Sequence, residues 1–501
     1  MIKFCTTLAA AALVWLGPAT AHAHAFGERY DLPLPLWLYL VGAGAAVGFS
    51  FLILAIFARG AAGSSGYPAF NLLRLAVVRP LASLPVLGAV RGLSAALFVF
   101  LLIAGFFGNQ DGAFENIVPT AVWVIWWVGL AYVSALLGDL WSLINPWKIF
   151  SVWTEALVRR LDAQNATSMG FALPAKLGIW PAVILFAIFS WMELVWTERD
   201  SPSGVATLII AYSAITWGGM YLFGREQWLH RGEAFTVLYG LFARFAPFDA
   251  RIVRTEDGAR REWNLRPPAV GLLSSGRATL AMTAFVILTL STVTLDGLIE
   301  SPLWAKTTYW VLSYISPERI PALGFMSPST MVLTAGVILA PLLLFSIYAV
   351  FSQAIVWAIP ERTAAAATSH RLTAMGMARV FVWTLVPIAI AYHLAHFLSF
   401  FLVFGQFVIP LASDPLGYGW DLFGTADYQV NIGIVGARFV WITSVLAIVA
   451  GHVAAVYLAH VAALRTFADR RLAMITQYPM LLLMIAYTIT SLWILSQPIV
   501  E

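Results

Sequence analysis

Three histidines lie inside long apolar runs, where a polar side chain is costly and usually faces a cavity, a partner or a pathway. His393 and His396 are three residues apart, so a helix places them on one face. His452 falls in the next apolar run, which crosses in the opposite direction. Adjacent antiparallel helices could bring all three imidazoles into one ligand shell, and imidazole suits Zn, Cu, Fe or Ni. The pattern predicts a divalent metal ion (Zn, Cu, Co or Mn) or haem, with interhelical hydrogen bonding and a proton relay as alternatives.

One carboxylate has surroundings that suit acid/base chemistry. Glu193 lies in the aromatic segment FSWMELVW, within a turn or so of the end of its apolar run. An apolar setting desolvates a carboxyl group, which favours a general acid/base or a metal ligand. Asp139 is more typical of an interfacial or capping residue, and Asp296 and Glu300 are typical of a solvated helix end. Glu193 is therefore the candidate catalytic residue.

The first 23 residues are typical of a signal peptide. Lys3 precedes an apolar run, and Ala21-His22-Ala23 matches the small-residue cleavage pattern; an uncleaved first helix is the alternative. Cleavage after Ala23 would make His24 the mature N-terminus, whose α-amine and ring nitrogen could chelate copper. The only cysteine, Cys5, lies in the signal, so we expect no disulfide and no catalytic thiolate.

The composition places these residues in a membrane. Hydrophobic residues make up 60% of the chain and charged residues 11%, whereas soluble proteins carry about 25% charged residues. This excludes a water-soluble enzyme, a disordered chain and a nucleic-acid binder. We expect an all-α fold, a single integral membrane domain from residue 24 to residue 501, with about ten spans of about 20 residues each. The predicted spans lie near 36–57, 92–108, 118–138, 177–197, 204–223, 278–298, 329–358, 379–404, 436–463 and 474–496.

The basic residues predict the orientation. Lysine and arginine concentrate in every second loop, with nine arginines in the segment 224–277 alone, while the other loops lean acidic. Basic loops face the cytoplasm. The sequence therefore predicts a multi-pass protein of a bacterial inner membrane, with the mature N-terminus and the C-terminus in the periplasm.

Three cytoplasmic segments have structure of their own. Residues 147–160 and 232–246 have aromatic residues and leucine on one face and arginine near the end, which predicts interfacial amphipathic helices. Residues 251–264 predict a short hairpin that turns at Asp257-Gly258. The chain contains no GxxxxGK[ST], HExxH or GxSxG motif, so ATP-driven transport and familiar serine hydrolysis are unsupported.

Three segments resemble those of a known family: HAFGERYDLPLPLWLYL (24–40), NPW (145–147) and YHLAHF (392–397). The chain resembles the bacterial polytopic membrane proteins labelled fenitrothion hydrolase. In length and in number of spans, this resemblance extends over most of the chain. The resemblance implies an aryl-dialkylphosphatase-type hydrolase that cleaves the P–O-aryl bond of apolar organophosphorus triesters. No catalytic residues are carried over from the family.

Three functions follow from these observations. The first is a membrane-embedded metallohydrolase of a small apolar substrate, with the histidines holding a metal that activates water and Glu193 or a loop aspartate as base. The second is a transporter or permease, possibly for copper or another metal ion. The third is a haem- or metal-handling assembly factor. The resemblance favours hydrolysis, whereas the ten-span architecture with little chain outside the lipid favours transport.

Overall fold

The computed structural model describes residues 23–25, 28–30, 32–57, 67–161, 167–255, 258–314, 327–360 and 372–497. The predicted signal peptide, as far as residue 22, lies outside the described residues, as does the predicted turn residue Asp257.

The described chain is a bundle of helices, which confirms the all-α membrane fold. The main helices are α1 (Leu36–Phe57), α2 (Leu84–Phe107), α3 (Ile117–Leu137), α4 (Pro146–Leu161), α5 (Trp180–Leu194), α6 (Pro202–Phe223), α7 (Arg225–Arg231), α8 (Ala234–Ala243), α9 (Leu280–Ile299), α10 (Pro302–Tyr314), α11 (Pro328–Trp357), α12 (Ala374–Phe381), α13 (Val386–Phe404), α14 (Ala437–Thr466) and α15 (Tyr478–Leu495). Within the described ranges, nine helical segments are long and apolar enough to cross a membrane; they contain α1, α2, α3, α6, α9, α11, α12 with α13, α14 and α15.

The fourth predicted span, 177–197, is shorter than expected. It forms α5, which has 15 residues and is therefore about 22 Å long at 1.5 Å per residue. A straight crossing needs about 20 residues. The other nine predicted spans each correspond to one of the long segments.

Two of the spans are irregular inside the bundle. Residues Thr120–Gly129 of α3 form a π-helix, and a 3₁₀ turn at Val382–Leu385 separates α12 from α13. Such interruptions free backbone groups from the regular helical ladder and are frequent at functional sites. The π-helix contacts α13, and the 3₁₀ turn contacts both α9 and α13.

Residues 232–246 do not form the predicted interfacial helix. They form α8, which packs against α3, α5 and α13, and its side chains Phe235, Leu238, Tyr239 and Phe242 are all buried. The ten residues of α8 carry no charge, so every face of the helix can be buried. The prediction was wrong because it took one arginine, Arg244, as the sign of a solvated face.

The other two segment predictions agree with the structure. The predicted helix 147–160 is α4, in which Trp147 and Ile149 are buried whereas Trp153 and Leu157 are exposed. The predicted hairpin forms from β4 (Phe248–Thr255) and β5 (Gly258–Leu265), which pair antiparallel.

A short strand near the start of the chain joins this hairpin. β3 (Phe70–Asn71) pairs antiparallel with the other edge of β5, so β5 is the middle strand of the sheet. A separate two-stranded ribbon joins β1 (Ala23–Ala25) to β2 (Glu28–Tyr30).

Contacts between loops define two ends of the bundle. At the acidic end, the loops 108–116, 195–201 and 405–436 meet; Ile117 N, for example, donates to the carbonyl oxygen of Pro415 over 3.2 Å. At the basic end, the segments 138–145 and 224–279 meet, since Asn145 Nδ2 donates to Glu233 over 3.3 Å. Ala278 N donates to the carbonyl oxygen of Arg379, in the last turn of α12, over 2.9 Å. The acidic and basic loops of the sequence thus lie at opposite ends.

Candidate functional site

A histidine and an aspartate pair inside the bundle. His396 Nε2 lies 2.9 Å from Asp296 Oδ2, which joins α13 to α9. The two side chains are 9% and 23% exposed. Asp296 lies one turn before the end of α9, and His396 lies about two turns before the end of α13. The pair is therefore largely shielded from water but within reach of the acidic end.

Two further carboxylates lie near this pair. Glu300 follows α9, where loss of water raises its pKa; Asp296 adds to this effect, and His396 and Arg199 oppose it. Glu193, the predicted catalytic residue, lies on α5 within electrostatic range of Asp296. Within the described ranges, however, no three His, Cys, Asp or Glu side chains are grouped closely enough to hold a metal ion.

The helices that carry the pair approach each other closely at Gly297. A Cβ atom at this position would lie 2.8 Å from Tyr392 Oη and 3.4 Å from His396 Nδ1. The Tyr392 hydroxyl is buried and has no hydrogen-bond partner among the described residues. Glycine at position 297 therefore allows a hydroxyl group and an imidazole to face α9 beside the pair.

Polar groups continue from the pair toward the middle of the bundle. Thr294 Oγ1 on α9 contacts the hydroxyl group of Tyr487 on α15. The Tyr487 ring centroid lies 6.1 Å from that of His452 on α14. His452 Nδ1 donates to the carbonyl oxygen of Ile448 over 2.8 Å, which leaves Nε2 as an acceptor without a partner in the described part of the chain. Together with Tyr392, these residues form a line of polar side chains from the His396–Asp296 pair to His452.

His393 lies in different surroundings from His396. Its ring is surrounded by aromatic side chains of α3, α8 and α13, with centroid distances of 5.6 Å to Trp127, 6.2 Å to Phe242 and 4.7 Å to Phe397. Its Nε2 atom is buried and has no partner among the described residues. The structure therefore does not bring the predicted metal ligands His393, His396 and His452 into one ligand shell, because each imidazole contacts a different neighbouring helix. A bound divalent metal stays a prediction.

The predicted copper ligand His24 lies in β1, where it pairs with Arg29 of β2. The ribbon contacts α14. A role for His24 in copper binding, and cleavage of the signal before it, stay predictions.

A buried carboxylate that sequence reasoning missed lies in the basic half of the bundle. Glu233 is the N-cap of α8 and accepts hydrogen bonds from the backbone N–H groups of Phe235 (2.9 Å) and Thr236 (2.8 Å). The Tyr212 hydroxyl donates to it over 2.6 Å, and Asn145 Nδ2 donates over 3.3 Å. Trp141 Nε1 and the Thr236 hydroxyl group complete its partners. The signal in the sequence was a single acid directly before ten uncharged residues, which is the pattern of a buried N-cap.

A cavity of about 210 Å³ opens at the basic end, beside this carboxylate. Asp139 and Lys148 both line it, and loss of water raises the pKa of Asp139 and lowers the pKa of Lys148. Asp139 Oδ1 accepts a hydrogen bond from the N–H group of Ser142 over 3.0 Å, which agrees with the predicted capping role. The cavity also contacts Asn145, Glu226, His230, Thr236 and Arg244.

The bundle therefore has polar chemistry at both ends: a His–Asp pair near the acidic end and a cavity with charges of both signs at the basic end. Imidazole and carboxylate can exchange a proton near neutral pH, and the open cavity can admit a small polar solute. No family model matches the chain, and comparisons with curated proteins and with solved structures found no match.

Proposed function

We propose that this protein is a proton-coupled transporter and that the His396–Asp296 pair is its proton-binding site. The 2.9 Å contact between these side chains inside a membrane bundle is the observation that carries the proposal. Ionisable residues at such positions mark ion pathways and proton relays, because a charged side chain inside the membrane is energetically costly and is rarely found without a functional role. A proton on His396 gives a neutral ion pair, and its loss leaves a net negative charge that favours a different arrangement of the helices.

The surrounding architecture supports transport. α8 is a short helix buried among longer ones, and both α3 and the α12–α13 segment are interrupted. Interrupted helices with polar termini inside the bundle are a common way to build transport sites. The polar line that runs inward from the pair to His452, and the cavity at the opposite end, provide groups on both sides of the bundle centre.

The orientation belongs to the same proposal. The basic end faces the cytoplasm of a bacterium and the acidic end faces the periplasm, since arginine-rich loops remain on the cytoplasmic side. His396 and Asp296 then take up their proton from the periplasm. Only 6% of the apolar window is buried in each of the long helices α2 and α11, so we expect them to contact lipid.

Hydrolysis of an apolar triester is the second candidate, and the His396–Asp296 contact also favours it. A carboxylate that orients an imidazole makes the imidazole an effective general base for a water molecule. Glu300 lies near the pair and would supply a second carboxyl group on the acidic side. This candidate agrees with the fenitrothion hydrolase resemblance, and Glu193 then has a supporting role beside Asp296.

One pair of measurements on the same proteoliposomes distinguishes the two candidates. A pH jump on a solid-supported membrane should give a transient current as protons enter the site, and His396→Asn or Asp296→Asn should reduce it to the level of protein-free liposomes. Glu115→Gln is the matched control, because Glu115 is an exposed acid at the same end. Release of nitrophenol from fenitrothion should be absent.

Each result decides between the candidates. Nitrophenol release that depends on His396, without a transient current, would replace transport by hydrolysis. A current that persists in both variants would reject the pair as the proton-binding site.

A further inference from the structure

A second cavity lies at the basic end, on the far side of Arg244 from the first. It is bounded by the short helix Val270–Leu273, the 3₁₀ turn Val382–Leu385 and the last turns of α14. Its volume is about 250 Å³. Arg277 and Arg465 line it, and no carboxylate of the described residues does so. The described residues that line the cavity therefore include two basic side chains and no acidic one.

Two arginines beside this cavity, Arg465 and Arg379, donate to backbone carbonyl groups. Arg465 Nη1 donates to the carbonyl oxygen of Leu273 over 2.7 Å. Arg379 Nε donates to the carbonyl oxygen of Ala278 over 2.6 Å. A carbonyl group orients a guanidinium without neutralising it, and each bond uses one of five N–H donors. These side chains thus keep both their positive charge and donors for an anion.

A fourth arginine, Arg244, lies next to the cavity, against Trp383 of its wall. Arg244 donates from Nη1 to Ser275 Oγ over 2.7 Å, and its guanidinium lies 5.1 Å from the ring centroid of Trp383. Trp383 lines the cavity and donates from Nε1 to the carbonyl oxygen of Gly276 over 2.7 Å. The ring and the hydroxyl group fix this arginine without cancelling its charge. Arg277 and Arg465 line the cavity, whereas Arg379 and Arg244 lie behind its wall. Guanidinium groups recognise phosphate by paired hydrogen bonds.

We propose that this cavity binds a phosphate group and that the phosphate is the headgroup of an anionic phospholipid. The composition of the cavity wall favours a lipid over a dissolved ion as the ligand, because Val380, Leu458 and Ala462 form an apolar side next to the arginines. α14 continues from this wall into the membrane, so acyl chains can follow it. Basic pockets between helices at the membrane surface bind such headgroups. This proposal is independent of the proposed transport function.

The test is native mass spectrometry of the full chain with defined lipids. Wild type should retain one dioleoylphosphatidylglycerol under conditions that remove dioleoylphosphatidylcholine. Arg465→Gln and Arg277→Gln should each weaken this binding about fivefold. Arg160→Gln is the matched control, since Arg160 is an exposed arginine near the end of α4, outside the cavity. Ala462→Leu fills the cavity without removing a charge and should also lose the lipid.

A second measurement separates a lipid headgroup from free phosphate. The melting temperature of each protein is followed with inorganic phosphate and, separately, with the two lipids. Stabilisation of wild type but not of Arg465→Gln by inorganic phosphate alone would support the phosphate site and overturn the lipid as its source. Equal retention of both lipids by wild type and both arginine variants, with no effect of phosphate, would overturn the proposal. If an arginine variant does not fold, lipid retention by Ala462→Leu is measured in its place. Loss of dioleoylphosphatidylglycerol supports the proposal, and retention equal to that of the wild type overturns it.

Discussion

The side-chain amide of Asn145 donates a hydrogen bond to Glu233 Oε2 over 3.3 Å, and the two residues are the N-caps of α4 and α8. Asn145 Oδ1 accepts from the N–H group of Lys148 over 3.1 Å. One carboxylate thus caps α8 directly and α4 through Asn145. Because both helix N-termini carry partial positive charge, the acceptor oxygens of Glu233 stabilise their close approach.

Loss of the Glu233 carboxylate should destabilise the bundle strongly. Glu233→Ala leaves the hydroxyl and indole donors around it without an acceptor, so the free energy of unfolding should fall by about 3 kcal/mol or more. Unfolding in detergent, followed by tryptophan fluorescence, measures the change. Glu226→Gln alters an exposed acid of the same loop and should have little effect. An unchanged stability of Glu233→Ala would show that the network does not hold α4 and α8 together.

Tyr212 and Glu233 should be energetically coupled. Tyr212→Phe removes the 2.6 Å hydrogen bond to the carboxylate, which should cost about 1.5–3 kcal/mol. The matched control is Tyr221→Phe on the same helix, where the side chain is exposed. In the double variant with Glu233→Gln the two losses should be less than additive. Additive losses would mean that the bond contributes nothing of its own.

Asp139→Asn should raise stability at neutral pH and leave it unchanged in acid. Loss of water raises the pKa of Asp139 above its ordinary value of 3.8, so the native state binds the proton more tightly than the unfolded state. The aspartate therefore destabilises the protein increasingly as the pH rises from about 3.8 through the raised pKa. Asparagine keeps the cap on Ser142 without the charge. Melting temperatures of both proteins across this range test the prediction, which an equal difference at all pH values would contradict.

Gly297→Ala should disrupt the His396–Asp296 pair. The added Cβ would lie 2.8 Å from Tyr392 Oη, and such overpacking typically costs about 1–3 kcal/mol. We expect the variant to melt earlier and to lose the pH-jump current. Tyr392→Phe in the same chain removes the hydroxyl group and should restore part of both. Gly88→Ala is the control because its added Cβ meets open space; no rescue by Tyr392→Phe would contradict the steric explanation.

His393→Phe should leave function intact, in contrast to His396→Asn. The His393 ring lies among aromatic side chains and its Nε2 atom has no partner in the described structure. Replacing such a nitrogen by an apolar ring is close to neutral for stability. Metal analysis of the purified wild type and of His393→Phe accompanies the pH-jump current. If the wild type contains a metal, and if His393→Phe loses both the metal and the current, the result would support the predicted three-histidine metal site.

The sequence predicted the parts of the fold that depend on local patterns. Hydrophobic runs located nine long segments, and the position of Asp139 at the end of its apolar run indicated an interfacial or capping residue. The sequence did not predict the contact between Asp296 and His396, because that contact depends on which helices are neighbours in the bundle. Asp296 has the local pattern of a solvated helix end. Only tertiary packing turns it toward the imidazole.

The partners of a buried segment were likewise beyond local reasoning. The ten uncharged residues of α8 allow every face of the helix to be buried, but they do not show which groups surround its N-terminus. Burial depends on whether the network around Glu233 can satisfy the helix N-terminus away from water. Its partners Trp141, Asn145 and Tyr212 come from segments distant along the chain. No local pattern shows that these four residues meet.

The shared middle strand β5 imposes an order on biosynthesis. Asn71 Oδ1 accepts a hydrogen bond from the N–H group of Trp263, 192 positions later in the chain. The strand β3, between α1 and α2, therefore has no partner until the ribosome has synthesised α3 to α8 and the hairpin that follows them. Domains fold from the N-terminus during translation. The pairing of β3 with β5 is therefore a late step, which connects the first helices of the chain to a hairpin synthesised after α8.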